Sequence, residues 1–132
     1  MNSSFSITNL TRNKTLPQSA PFARIKNKTV GKKFSARLIF AGKERMRALN
    51  RAYRKKTYAP NVLAFRFTGN EGEVFICQEI AAREARREGI LTSARITYLF
   101  IHGLLHLKGK THSVTMTQSE RRLCKFFRLP EP

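Results

Sequence analysis

All three histidines of this 132-residue chain fall within eleven residues, His102-Gly103-Leu104-Leu105-His106-Leu107-Lys108-Gly109-Lys110-Thr111-His112. Apolar residues precede the first of them (Ile96, Tyr98, Leu99, Phe100, Ile101), so the stretch is expected to open on a buried helix. Residues four apart on a helix share a face, about 6 Å apart along the axis. His102 and His106 can therefore aim two imidazoles at one point. Gly109 can adopt the left-handed backbone that ends a helix and turns the chain back. That turn would carry His112 toward the same point. Histidines on an apolar helix face are more often satisfied core residues than ligands. Three of them, with a glycine turn before the third, favour a metal site, and three histidines with one open position suit a catalytic zinc.

Charge is the second constraint. Lys and Arg number 26 against 8 acidic residues, a formal net charge of +18, and the acids are all Glu. Self-repulsion of that size implies a polyanionic partner. Nucleic acid leads, through phosphate contacts and counterion release. An anionic membrane surface is the weaker alternative, and no run approaches the roughly 20 apolar residues of a spanning helix. The basic residues cluster at Arg24 to Lys33, Arg45 to Lys56, Arg83 to Arg87 and Arg121 to Arg128.

The length suits one domain over residues 1–132, and 41% hydrophobic content is enough to bury a core at this size. Cys77 and Cys124 fit neither a metal pair nor a disulfide framework. Both read as packed, reduced thiols of a cytosolic protein. The N-terminal residues lack the continuous apolar segment of a secretory signal. They are rich in Ser, Thr, Asn and basic residues with no acid before Glu44, a composition that overlaps with an organellar transit peptide.

Along the chain, strands are expected at Ser4 to Leu10, Phe34 to Phe40, Val62 to Phe67 and Glu73 to Ile76. Helices are expected at Phe22 to Asn27, Lys43 to Tyr53 and Gln78 to Glu88, the last ended by Gly89. Ser93 is a candidate cap for the histidine helix, and Glu120 to Phe127 reads as a short final helix. The turn-like Thr68 to Gly72 connection favours an antiparallel pair. These elements predict an α+β fold, a small mixed sheet of about four strands with helices packed on it and the metal site at the end of the histidine helix.

The histidine string resembles the signature His-Gly-x-Leu-His-Leu-x-Gly-x-x-His of the YbeY family of zinc-dependent endoribonucleases. Two further blocks are similar to that family's: Leu49-Asn50-Arg51-Ala52-Tyr53-Arg54 with Asn61-Val62-Leu63-Ala64-Phe65, and Gly72-Glu73-Val74-Phe75-Ile76. The resemblance covers about Phe34 to His112. It implies one zinc ion per chain on His102, His106 and His112, and Arg54 as a residue of the catalytic centre. Arg51, Lys55 and Lys56 would join Arg54 in binding RNA. It also implies a single-strand-preferring endoribonuclease of ribosomal RNA maturation in the cytoplasm. Its partners would be ribosomal RNA or the ribosome, with ribosomal proteins or a ribosome-associated GTPase by family analogy. Several positions depart from the family. Thr111 stands where Asp is usual before the third histidine, Ala64 replaces a Ser, Arg66 a Pro, and Arg95 lies near a frequent Glu. The alternative reading is therefore a non-catalytic basic RNA- or ribosome-binding protein that keeps a zinc.

Gly103 follows the first histidine where a His-Glu-x-x-His peptidase carries its base, which argues against peptide hydrolysis. Glu73 is the acid in a family-like block and a candidate to act near the site. Phe65 and Phe67 read as core rather than as platforms for bases.

Overall fold

The computed structural model describes residues 5–13, 21–109 and 114–130. Its elements run β1 (Phe5–Asn9), α1 (Phe22–Val30), β2 (Ser35–Phe40), α2 (Lys43–Arg54), β3 (Val62–Thr68), β4 (Glu71–Ile76), α3 (Gln78–Glu88), α4 (Thr92–Leu107) and α5 (Val114–Phe126). The four strands form one mixed sheet in the order β1-β2-β4-β3. β1, β2 and β4 are parallel, and β3 closes the sheet as an antiparallel edge against β4. This is the expected α+β architecture.

β2 and β4 end in continuous apolar runs because both of their faces are covered. Leu38, Phe40, Val74 and Ile76 face one core with α1, α4 and α5. Ile39, Phe75 and Cys77 face a second core closed by Met46 of α2 and Ile80 of α3. α4 is apolar around most of its circumference, the pattern of a helix sunk in a core, and buries Ile96, Leu99, Phe100, Ile101, Leu104, Leu105 and Leu107. α2 is amphipathic instead. Its basic residues face outward, while buried Asn50 donates from Nδ2 to the Tyr58 carbonyl at 3.0 Å and fixes the loop after the helix.

Gly103 sets the depth at which α4 lies on the sheet. A methyl group at this position would sit 2.6 Å from Val74 Cγ1 and 3.4 Å from Val62 Cγ2. The helix therefore touches β3 and β4 through bare backbone, one residue from His102.

Some sequence expectations are corrected. Ser93 does not cap α4: the helix already starts at Thr92, Leu91 holds the cap position in extended conformation, and no side chain bonds the cap. The final helix begins at Val114 rather than near Glu120. Phe67 is 61% exposed rather than core, because β3 is an edge strand and runs beyond the cover of α2. Phe65 is half-buried and packs against the second core. Cys77 and Cys124 are buried free thiols.

Candidate metal centre and its cleft

Tyr98, His102 and His106 follow one another at helical spacing of four and make a polar stripe on a stretch of α4 that is otherwise apolar from Leu99 to Leu107. The two imidazole rings meet edge to face, with centroids 4.8 Å apart. Their Nε2 atoms are 3.2 Å apart. Two nitrogens bound tetrahedrally to one zinc at ordinary Zn–N lengths lie about 3.3–3.4 Å from each other. The pair thus has the spacing that a shared ion requires, and imidazole nitrogen is a donor that zinc accepts.

The other ring nitrogen of His102 is already engaged. Nδ1 pairs with Oε2 of Glu120 on α5, and the Tyr98 hydroxyl donates to Oε1 of the same carboxylate at 3.0 Å. Glu120 is only 6% exposed. Burial first, and then the Glu120 carboxylate, push the Tyr98 hydroxyl well above its ordinary range, so Tyr98 remains a donor. The same two causes push the Cys124 thiol, one turn further along α5, up to about 11.

Among the described residues, no group of three or more His, Cys or acidic side chains is placed to hold a metal. The third expected ligand, His112, lies outside the described residues, as does Thr111. Gly109 has φ +95, the left-handed turn expected of it, and its N–H reaches the His106 carbonyl at 2.9 Å. Arg66, at the usual proline position, donates from Nη1 to the Leu107 carbonyl at 3.1 Å and so holds the end of α4.

Both histidines open on a cleft of about 970 Å³ that runs along the β3 edge. The cleft reaches Tyr53 and Arg54 at the end of α2, and Arg83 and Glu84 on α3. Arg54 and the two histidines therefore share one cavity, although they come from sequence blocks almost fifty residues apart. Arg51, Lys55 and Lys56 are exposed on or just beyond the end of α2 and do not line the cleft. Glu84 is the acid lining it. Its carboxylate accepts from Arg95 Nε at 2.9 Å and from Asn61 Nδ2 at 3.1 Å. Arg95, near a usual Glu position, thus belongs to a network tying α4 to α3 and to Asn61, the residue before β3. Glu73 pairs with Arg37 at 3.5 Å and lines no part of the cleft.

Sequence reasoning missed Glu120, Tyr98, Arg66 and the Arg95–Glu84–Asn61 network. One signal was there to use: Glu120 is the single acid between Glu88 and Glu131 in a strongly basic stretch.

Fold and cleft together define a small α+β protein in which a histidine pair on a core helix opens onto an arginine-bearing groove. The family model described as Endoribonuclease YbeY matches residues 4–126, and the chain belongs to that family. Curated relatives named Endoribonuclease YbeY include one from Thiobacillus denitrificans, 38% identical over 95 residues, which are 64% of this chain and 65% of the relative. Another, from Methylobacillus flagellatus, is 33% identical over 101 residues, covering 74% and 68%. The matched segments span about half to two thirds of the first relatives' own lengths. A solution structure from Thermotoga maritima shares the fold, with a TM-score of 0.62 at 19% identity over 95% of this chain and 92% of that one.

Proposed function

We propose that this chain is a metal-dependent endoribonuclease that cleaves single-stranded segments of ribosomal RNA or its precursors. Zinc is the proposed metal, with His102, His106 and His112 as ligands. The observation that carries the reading is the 3.2 Å separation of the His102 and His106 Nε2 atoms at the mouth of the cleft that also holds Arg54. Such an ion supplies Lewis acidity toward a phosphoryl oxygen and lowers the pKa of a water it binds to about 7.

The chain's own groups do the rest. The Arg54 guanidinium can grip a phosphate through two parallel hydrogen bonds and neutralise charge as it builds on the phosphoryl oxygens. Arg66 and Arg83 line the same groove and add positive potential for the backbone on either side of the scissile bond. Exposed Tyr53 and Tyr58, also in the lining, offer ring faces for unpaired bases, which favours single strands over duplex. Arg51, Lys55 and Lys56 extend the basic surface outside the cleft. Among the lining residues no carboxylate is disengaged to serve as general base, since Glu84 is held by Arg95 and Asn61. The proposed setting is the ribosome in the cytoplasm. Ribosomal proteins or a ribosome-associated GTPase are the proposed protein partners, by family analogy. No single helix among the described residues is long and apolar enough to cross a membrane.

The test is cleavage of a structured ribosomal RNA precursor by zinc-loaded protein, beside a His106→Ala control made identically. Cleavage by the parent alone supports the reading. RNA binding without cleavage by either protein would make the chain a binding protein with a retained metal site.

A further inference from the structure

Glu120 is a buried carboxylate on a helix whose other ionisable groups are cationic, apart from the Cys124 thiol. Burying such a group costs several kcal/mol unless it is paired and hydrogen-bonded. Both of its oxygens are engaged: the Tyr98 hydroxyl donates to one, and the His102 ring meets the other through Nδ1. Both partners lie on the polar stripe of α4, one turn apart, so a single side chain of α5 reads two positions of the histidine helix.

That geometry has a consequence at the far side of the ring. An imidazole whose Nδ1–H is held by a carboxylate keeps its Nε2 lone pair outward, and Nε2 of His102 is the atom that faces His106 across 3.2 Å. A neutral imidazole free in water has no such fixed choice of nitrogen. We propose that Glu120, itself aimed by Tyr98, is a positioning residue that locks the tautomer and ring plane of His102 and so presents Nε2 to the metal. The inference rests on the metal-site reading above and goes beyond it by assigning residues outside the ligand set. Glu120 does not touch the substrate cleft: neither it nor Tyr98 is among the cleft's lining residues, whereas His102 is.

A carboxylate behind a ligating histidine typically raises metal affinity about 10–100-fold. The experiment has two readouts on the full chain and on Glu120→Ala, Glu120→Gln, Tyr98→Phe and His106→Ala. The first is zinc affinity, by competition with a chromogenic chelator. The second is the nitrogen NMR spectrum of the His102 ring in metal-free protein, at a pH about two units above the ordinary histidine pKa of about 6.5. Glu120→Ala should weaken zinc about 10–100-fold and move the His102 proton from Nδ1 toward Nε2. Glu120→Gln keeps the shape and one acceptor oxygen, so it should restore the Nδ1–H tautomer and part of the affinity. Tyr98→Phe should give a smaller loss of affinity. A folded Glu120→Ala protein with parental zinc affinity and an unchanged His102 tautomer would overturn the proposal. Should Glu120→Ala fail to fold, the zinc affinities of Glu120→Gln and Tyr98→Phe decide: parental affinity in both would overturn it equally. If parent and His106→Ala bind zinc equally poorly, the metal-site reading fails. The tautomer readout then still decides whether Glu120 sets the His102 ring.

Discussion

Replacing Gly103 by alanine tests whether the histidine helix lies on the sheet as closely as described. On helix propensity alone this change should stabilise a helix interior by about 1 kcal/mol. The structure reverses the expectation. The added methyl would lie 2.6 Å from Val74 Cγ1 and 3.2 Å from Cγ2, whereas carbon pairs settle at roughly 3.5–4.0 Å. Relief requires a shift of about 1 Å between α4 and β4, and both partners are set in a packed core. Overpacking of this kind costs about 1–3 kcal/mol, so the net effect should be a loss of about 1 kcal/mol, measured by urea unfolding. Val74→Ala removes the obstructing methyls and should lose about 1–3 kcal/mol alone through the cavity it leaves. In the double variant the new methyl occupies part of that space. Its loss should therefore fall short of the sum of the singles by at least about 1 kcal/mol, the signature of direct contact. Gly103→Ala should also weaken zinc binding or cleavage, because His102 is the adjacent residue and moves with the helix. A variant about 1 kcal/mol more stable than the parent, with no coupling to Val74→Ala, would refute the close approach.

Arg54→Ala is expected to lower RNA cleavage about 10²-fold or more while changing RNA affinity only a few-fold, because its proposed role is charge stabilisation as the phosphate reacts. Equal losses in single-turnover cleavage and in binding would make Arg54 a binding residue. Affinity for single-stranded RNA should fall steeply with salt, by about 0.7 in log–log slope for each phosphate neutralised. Removing Arg83 should reduce that slope by about the same unit, and a flat salt response of the parent would contradict the electrostatic reading. The raised Cys124 pKa makes a prediction for alkaline stability. The folded thiol titrates at about 11 against 9.0 for the unconstrained group. Its contribution is therefore complete below pH 9 and lost as pH rises toward 11. Unfolding free energy measured across that window should fall less in Cys124→Ala than in the parent, and identical slopes would remove Cys124 as the cause.

Which parts of this molecule can be read from its residues follows from how local each part is. The His102–His106 pair is set by helical spacing alone, and the turn at Gly109 by the one residue type that takes φ +95 without strain. Both are legible in the sequence. The boundaries of α2, α3 and β2 are legible for the same reason, since amphipathic period and Gly89 mark them within the segment itself. Beyond the helix boundaries of α4 and α5, the misses depend on a partner elsewhere in the chain. Phe67 has the pattern of a core strand residue, and only the position of β3 at the sheet edge leaves it exposed. Gly103 is informative in the sequence mainly as the absence of a peptidase's Glu. Its packing reason is Val74, in a strand almost thirty residues away. Glu120 sits in a run that reads as an ordinary amphipathic helix, and its meaning comes from Tyr98 and His102 across the α4–α5 contact. Arg95 and Arg66, which as residues alone are losses from a family pattern, acquire partners in Glu84 and the Leu107 carbonyl. A departure from a sequence pattern is thus a weak sign of lost function here, because both substitutions bring a charged group into contacts that hold α4. The histidine helix is braced at its start by Arg95, in its middle by Gly103 on Val74, and at its end by Arg66. That bracing is where binding energy for a metal or a phosphate would otherwise be spent on ordering the site.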